Sequence, residues 1–534
     1  MPSQSIIFFN SIKHYLKGLY DDVACIQSYD KGKVNLSKSL PVNLILGIIM
    51  FVWDEADDKL REECGVFGIS GHQEAAAVTA LGLHALQHRG QEAAGIVSYD
   101  GKRFHSERRI GLVSDHFTKK PIIERMQGQM AMGHVRYSTT GEPALRNVQP
   151  LFADLSVGGF AIAHNGNLTN ALKLRNELVQ SGAIFQSTSD TEVLLQLIAR
   201  SKSNGAINRF VDALRQIDGA YALVALTDDK LIGARDPLGI RPLILGKLED
   251  QFILSSETCA LDIIGAKFVR EIENGEVVVI SGGNVESIKP FPAMKKRPCI
   301  FEYIYFARPD SVFGEKSIYE CRKNFGHELA SEAPCSADIV VPVPDSGVPA
   351  ALGYAEAAGL PFELGIIRNH YVGRTFIEPQ QSTRDFGVKL KHNINRNAVS
   401  GKKVVLIDDS IVRGTTSVKI VELMRQAGAR EVHMKIASPP IKYPDFYGID
   451  TPEKAQLLAS LKSEKEMAAY IGADSLSFLS VDGLYRAMGH EQGRDDTNPA
   501  FTDHCFTGDY PTPLEDNNIA WLFETSQLSV RNEN

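Results

Sequence analysis

The run Val404-Val405-Leu406-Ile407 is apolar throughout and mostly β-branched, which predicts a strand buried on both faces. Asp408 and Asp409 end it, and a turn with Arg413, Gly414, Thr415, Thr416 and Ser417 follows. Ile420, Val421 and Met424 then recur at helical spacing, with Gly428 as the stop. The same order appears upstream. Ile339-Val340-Val341 reads as a strand, Pro344-Asp345-Ser346-Gly347 as a turn, and the alanine-rich stretch from Val348 to Ala358 as a helix. Val432 to Ala437 reads as a further strand and residues 452–472 as helical. From Arg368 to Lys391 the chain is polar and basic with little periodicity, which predicts a long loop of the kind that is functional or disordered.

The region beginning at Cys64 is patterned differently. A small strand follows the cysteine, with Gly65 and Gly68 permitting close backbone approach. A helical segment leads into Leu86-Gln87-His88-Arg89-Gly90, and Asn165-Gly166 stands at a strand end. Ser187 to Glu192 opens a helix, with Ser189 and Glu192 at capping-box spacing. Residues 1–63 are unlike either region. Their apolar run from Leu44 to Trp53 is shorter than the roughly 17–25 residues that span a bilayer. It also lies too far along for an ordinary signal peptide, and an acidic patch from Asp54 to Asp58 follows it. A disordered or removed leader is the expectation.

Composition narrows the class. A chain of 534 residues, 43% hydrophobic and 23% charged, has material for two to four domains with substantial cores. The net charge of −8, with no dense basic cluster, argues against a nucleic-acid partner. Seven scattered cysteines fit a reducing compartment, and the expected location is cytoplasmic with no membrane association.

Two constellations carry chemistry. In an open α/β sheet, ligands bind where strands end. Paired acids at such an end suit vicinal hydroxyls or a hard cation such as Mg²⁺, and the amides of a Gly/Thr turn opening a helix suit a phosphate. Together they describe a site for a phosphorylated, activated sugar. The ordinary alternative is a solvated acidic turn. Cys64, Arg136, Asn165, Gly166 and Asp190 form the second set. Taken singly they read as a buried thiol, a surface arginine, a turn Asn-Gly and an acid at a helix start.

The order Cys64-Gly65-Val66-Phe67-Gly68, His88-Arg89-Gly90, Gly133-His134-Val135-Arg136, His164-Asn165-Gly166-Asn167, Ser189-Asp190-Thr191 and Arg235-Asp236-Pro237-Leu238-Gly239 resembles the glutaminase domain of class II amidotransferases. The stretch Val404 to Ser417 resembles the phosphoribosylpyrophosphate (PRPP) signature of type I phosphoribosyltransferases. Joined in one chain, the two resemble the amidophosphoribosyltransferase family over residues 62–511. Another class II amidotransferase would lack the Asp408–Thr416 motif, and a non-enzymatic PRPP-sensing regulator would have no use for Cys64 and its set.

The resemblance implies an α/β and α+β chain of two domains: an N-terminal-nucleophile αββα sandwich over residues 64–294, then a phosphoribosyltransferase α/β domain over 295–480. Residues 1–63 would be a leader or propeptide and 481–534 a C-terminal tail. It implies Cys64 as nucleophile, Asn165 and the Gly166 amide as oxyanion hole, and Arg136 and Asp190 as binders of the glutamine α-carboxylate and α-ammonium. Asp408 and Asp409 would take the ribose hydroxyls and Mg²⁺, and Arg413 to Ser417 the 5-phosphate. Asp345 would face the pyrophosphate, Ser346 falls on a magnesium position, and Arg374, Arg384 and Lys389 would lie on a loop closing over PRPP. Ammonia from glutamine would displace pyrophosphate from C1 of PRPP, giving 5-phosphoribosylamine, the first committed step of purine synthesis. Purine nucleotides as feedback inhibitors and a homotetramer are further implications. One branch of the family carries a [4Fe-4S] cluster on four cysteines, and those positions fall here on Cys299, Asp445, Thr502 and Cys505. Two cysteines cannot supply four thiolates, so no cluster is expected.

In this class the general base is the nucleophile's own α-amine, with a reference pKa of about 7.7–8.0. Cys64 must therefore become the first residue. Met50 is a candidate start that leaves a short acidic propeptide. A genuine leader removed with the propeptide is the alternative.

Overall fold

Strand Gly219–Leu226 is buried at every position, and its alternation divides two cores. Tyr221, Leu223 and Ala225 face a helix-covered core, with Leu194 and Ile198 of helix Thr191–Arg200 and Phe210 of helix Ala206–Leu214. Ala222, Val224 and Leu226 face Val66, Val97 and Met132 of a second sheet. On the far side of that sheet, Phe67 and Ile69 pack against Leu83 of helix Ala75–Ala85. Helices, sheet, sheet and helices thus stack in four layers. Among the described residues the sheets are antiparallel, one of seven strands and one of six. This computed structural model describes residues 64–137, 144–369 and 392–516, all within one compact unit spanning 58–534. The leader expected over 1–63, with its Leu44–Trp53 run, lies outside the described residues, as do Arg374, Arg384 and Lys389.

The second half is built on a parallel sheet of Ile339–Pro342, Lys403–Asp408, Glu431–Ile436 and Ser475–Phe478, in that spatial order. The central strand is buried on both faces because it serves two cores. Val404 and Leu406 pack with Ile420, Val421 and Met424 of helix Thr415–Gln426. Val405 and Ile407 pack with Ala350, Ala351 and Tyr354 of helix Val348–Ala358. That second core also takes in Ala220, Leu238 and Ile240 from the sandwich and the segment Cys299 to Ala307. The halves therefore share buried apolar surface. Among the described residues no helix is long and apolar enough to cross a membrane.

Several expectations change here. Asn165 and Gly166, expected at a strand end, lie near the end of strand Gly158–Leu168, which continues through Leu168, and pair with Ala222 and Tyr221. The capping box at Ser189 and Glu192 does not form. Helix Thr191–Arg200 begins after Asp190, and the Glu192 carboxylate turns back to accept from the Ser187 amide and hydroxyl, both at 2.6 Å. Residues 452–472 break into the 3₁₀ turn Lys454–Gln456 and helices Leu458–Leu461 and Glu464–Ile471. Of the expected tail, residues 481–516 carry helices Val481–Ala487 and His504–Thr507 and place Leu484, Tyr485, Phe501 and Phe506 in the shared core.

Candidate active sites

Cys64 stands immediately before strand Gly65–Ser70, whose neighbour Met130–Arg136 runs antiparallel and ends at Arg136. The Cys64 thiol points toward the Tyr137 carbonyl at 3.5 Å, and the Cys64 carbonyl accepts from Arg89 Nε at 3.2 Å. Arg136 is buried. Asn165 is wholly buried, and neither its amide nitrogen nor its amide oxygen has a hydrogen-bond partner. Gly166 has φ +133°, and a Cβ there would stand 2.1 Å from the Ala220 carbonyl oxygen, so only glycine fits. Asp190 accepts from the Leu168 amide at 3.1 Å and lies 3.4 Å from His164 Nδ1. Burial pushes the Asp190 carboxyl up, but the His164 imidazole and the Leu168 amide outweigh this and hold it below the usual range.

Beneath this site runs a buried charge network. Arg89 donates to Glu257 at 2.6 Å and to both oxygens of Glu302 at 3.0 and 2.7 Å. Arg241 reaches Glu302 at 3.4 Å and donates through Nε to the Tyr447 carbonyl at 2.9 Å. Glu257 also takes His88 at 2.7 Å and the Ser311 hydroxyl at 2.7 Å. Burial raises both carboxyls; the His88 and Arg89 charges on Glu257, and Arg89 and Arg241 on Glu302, more than offset it and keep both groups low. Arg89, Glu257, Arg241 and Glu302 received no individual role from the sequence. The usable signal was a charge set in an apolar run, as Glu302 is between Phe301 and Tyr303.

In the second half, Asp408 and Asp409 are both buried at the carboxyl end of the central strand. Asp408 accepts from the Asp409 amide at 3.0 Å, and Asp409 Oδ1 accepts from the Ser410 hydroxyl at 2.6 Å. Asp409 Oδ2 is buried with no partner. Gly414 is the N-cap of helix Thr415–Gln426 and takes the left-handed conformation there. Ser417 is buried in that turn, and Arg413 leans on Gln456 Oε1 at 3.3 Å. Asp345 and Ser346 lie in the adjacent turn, which the Val343 amide ties to the Ile407 carbonyl at 2.8 Å. Asp345 pairs with Arg368 at 2.7 Å, and Ser346 Oγ is buried with no partner. Asp408, Asp409, Asp345 and Ser346 thus converge at neighbouring strand ends.

The four aligned cluster positions also converge. Cys299 and Thr502 form a parallel bridge, Asp445 Oδ1 lies 2.7 Å from His504 Nε2, and Cys505 Sγ lies 3.3 Å from the same nitrogen. Burial pushes the Cys505 thiol well up, and Asp445 and Cys299 add to it.

A four-layer sandwich with a cysteine opening its inner strand, joined to a parallel sheet with paired acids at a strand end, defines a glutamine amidotransferase coupled to a phosphoribosyltransferase. The family described as "Glutamine amidotransferase domain" matches residues 134–262, and "Phosphoribosyl transferase domain" matches 314–437. An amidophosphoribosyltransferase from Rhizobium etli is 63% identical over 467 residues, covering 86% of this chain and 94% of its own. The Bacillus subtilis amidophosphoribosyltransferase is 49% identical over 456 residues, covering 85% of this chain and 95% of its own. A solved B. subtilis glutamine PRPP amidotransferase, complexed with ADP and GMP, superposes with a TM-score of 0.80 at 48% identity, covering 84% of this chain and 98% of that one. The chain belongs to the amidophosphoribosyltransferase family, whose members use glutamine and PRPP in the first step of purine biosynthesis.

Proposed function

We propose the following assignment of that reaction to residues. Cys64, once it is the first residue, attacks the side-chain amide carbon of glutamine while its own amine takes the thiol proton. Charge developing on the former carbonyl oxygen meets the Asn165 side-chain amide and the Gly166 backbone amide. Arg136 pairs with the α-carboxylate, and Asp190, kept ionised beside His164, with the α-ammonium. As the C–N bond breaks, the amine returns its proton to the departing ammonia, and water hydrolyses the remaining Cys64 thioester to glutamate; the ammonia reaches the second site and attacks C1 of PRPP as pyrophosphate leaves. There Asp408 and Asp409 hold the ribose hydroxyls, the turn Arg413, Gly414, Thr415, Thr416 and Ser417 holds the 5-phosphate, and Asp345 faces the pyrophosphate, with Arg374 as a further PRPP contact.

One observation carries the assignment. Both sites contain buried polar atoms with no protein partner: the Asn165 amide at one, Asp409 Oδ2 and Ser346 Oγ at the other. A buried unpaired polar group costs about 1–3 kcal/mol, which a ligand would relieve. Asp408, Asp409 and Ser346 are all-oxygen donors that suit Mg²⁺, whose bound charge would neutralise the departing pyrophosphate. No iron–sulfur cluster is proposed, because Asp445 and Thr502 stand where thiolates are needed.

The domain limits 64–294 and 295–480, a cytoplasmic location, purine nucleotides as inhibitors and a homotetramer complete the reading. The nucleotide-bound B. subtilis structure supports the inhibitor assignment. Cleavage before Cys64 is required. Mass spectrometry of active enzyme from its natural host tests it: a fully active glutaminase retaining residues ahead of Cys64 would overturn the mechanism. Phosphoribosylamine formation by Cys64→Ala, with glutamine and with free ammonia, tests the rest. Loss with glutamine and survival with ammonia are expected; synthesis from glutamine at the wild-type rate would refute the assignment.

A further inference from the structure

The loop Pro444-Asp445-Phe446-Tyr447-Gly448-Ile449 follows the third strand of the parallel sheet, yet its tip lies against the strand holding Asn165 and Gly166. Asn167 Nδ2 donates to the Phe446 carbonyl at 3.0 Å, and Arg241 Nε to the Tyr447 carbonyl at 2.9 Å. Gly448 has φ +117°, and a Cβ on it would lie 3.0 Å from both the Cα and the carbonyl carbon of Gly166. Backbone therefore packs on backbone, with no room for a side chain.

The loop is held to this shape from behind. Asp445 Oδ2 accepts from the Tyr447 and Ile449 amides, both at 2.7 Å. Its other oxygen pairs with buried His504 at 2.7 Å. Tyr510 donates to the Pro444 carbonyl at 2.7 Å, and the Tyr447 ring stands edge-on to His504 at 5.0 Å between centroids. The loop is wedged between the amide-hydrolysing strand and the segment 503–512.

We propose that this loop is a positioning element for the oxyanion hole. Gly448 sets the placement of the Gly166 peptide, and the Asp445–His504 pair keeps Gly448 seated. The inference rests on the reading of Asn165 and Gly166 as oxyanion donors. Such donors act only within about 2.7–3.1 Å of the developing oxygen. A shift of a few tenths of an ångström therefore weakens the transition state while Arg136 and Asp190 still hold glutamine. The signature is a fall in kcat at nearly constant KM.

The test uses the full chain carrying Gly448→Ala or Asp445→Asn, with Asn165→Ala beside them. Steady-state synthesis is measured with glutamine and with ammonia. For the two loop variants, glutamine-dependent kcat should fall by about 10-fold or more, with the glutamine KM within about 2-fold of wild type. The ammonia-dependent rate should stay at the wild-type level, which also reports that each variant is folded. A wild-type glutamine kcat in both loop variants, with Asn165→Ala impaired, overturns this inference alone. An equal loss with both nitrogen donors also overturns it, since general damage would then explain the effect. An unimpaired Asn165→Ala overturns the oxyanion reading and this inference together.

Discussion

Glu302→Met takes away a carboxylate shared by two buried arginines. Glu302 is 2% exposed, Arg241 is fully buried and Arg89 is 1% exposed. The substitution keeps the side-chain length and removes the acceptor for Arg89 at 2.7 and 3.0 Å and for Arg241 at 3.4 Å. Arg89 retains Glu257. Two good charge-assisted hydrogen bonds, at about 1.5–3 kcal/mol each, give about 3–6 kcal/mol, and the longer contact adds little. Breaking a buried pair by removing one partner gives a similar figure of about 3–5 kcal/mol. Urea unfolding followed by circular dichroism should show that loss as a lower midpoint at unchanged slope. A single variant within about 1 kcal/mol of wild type would refute the account of the network.

Three further outcomes follow from the geometry. Replacing Asp408 or Asp409 with Ala should abolish synthesis with both nitrogen donors while glutamine hydrolysis continues; retained PRPP use in both variants would exclude the ribose assignment. Burial pushes the His134 imidazole down to about 3, whereas the unfolded chain takes up a proton near 6.5. Its contribution is therefore complete above about pH 6.5 and falls by about 1.4 kcal/mol per unit as the pH drops toward 3, so His134→Gln should flatten stability against pH, and coincident slopes would exclude this. Iron and acid-labile sulfide in anaerobically purified protein should be absent, and stoichiometric amounts would show that Cys299 and Cys505 have other partners.

The transferase strand was legible because four consecutive apolar residues serve cores on both sides, and a run of that kind has few other uses. Helix Val348–Ala358 was legible for a related reason, since a turn and an alanine-rich stretch leave little choice. Asn165-Gly166 was placed at a strand end, and the strand runs two residues further than expected; glycine is demanded there by the Ala220 carbonyl. Glu192 misled because three-residue spacing permits a capping box, but Ser187 lay within its reach and took the carboxylate. Who pairs with whom in the network was invisible for want of locality. Arg89 and Glu302 are 213 residues apart, and no periodicity links such partners.

The contact made by Glu515 and Asp516 also fixes an order of events. Asp516 accepts from the amides of Leu172 and Lys173 at 2.8 and 3.1 Å, at the opening of helix Ala171–Gln180, and Glu515 pairs with Lys173. Leu172 and Asp516 are 344 residues apart, which a ribosome covers in about 20–70 s at roughly 5–20 residues per second. For that interval the helix emerges without its acidic cap, which comes from residues made far later in the chain. A chain stalled before Asp516 would therefore present helix Ala171–Gln180 without that carboxylate on its opening amides.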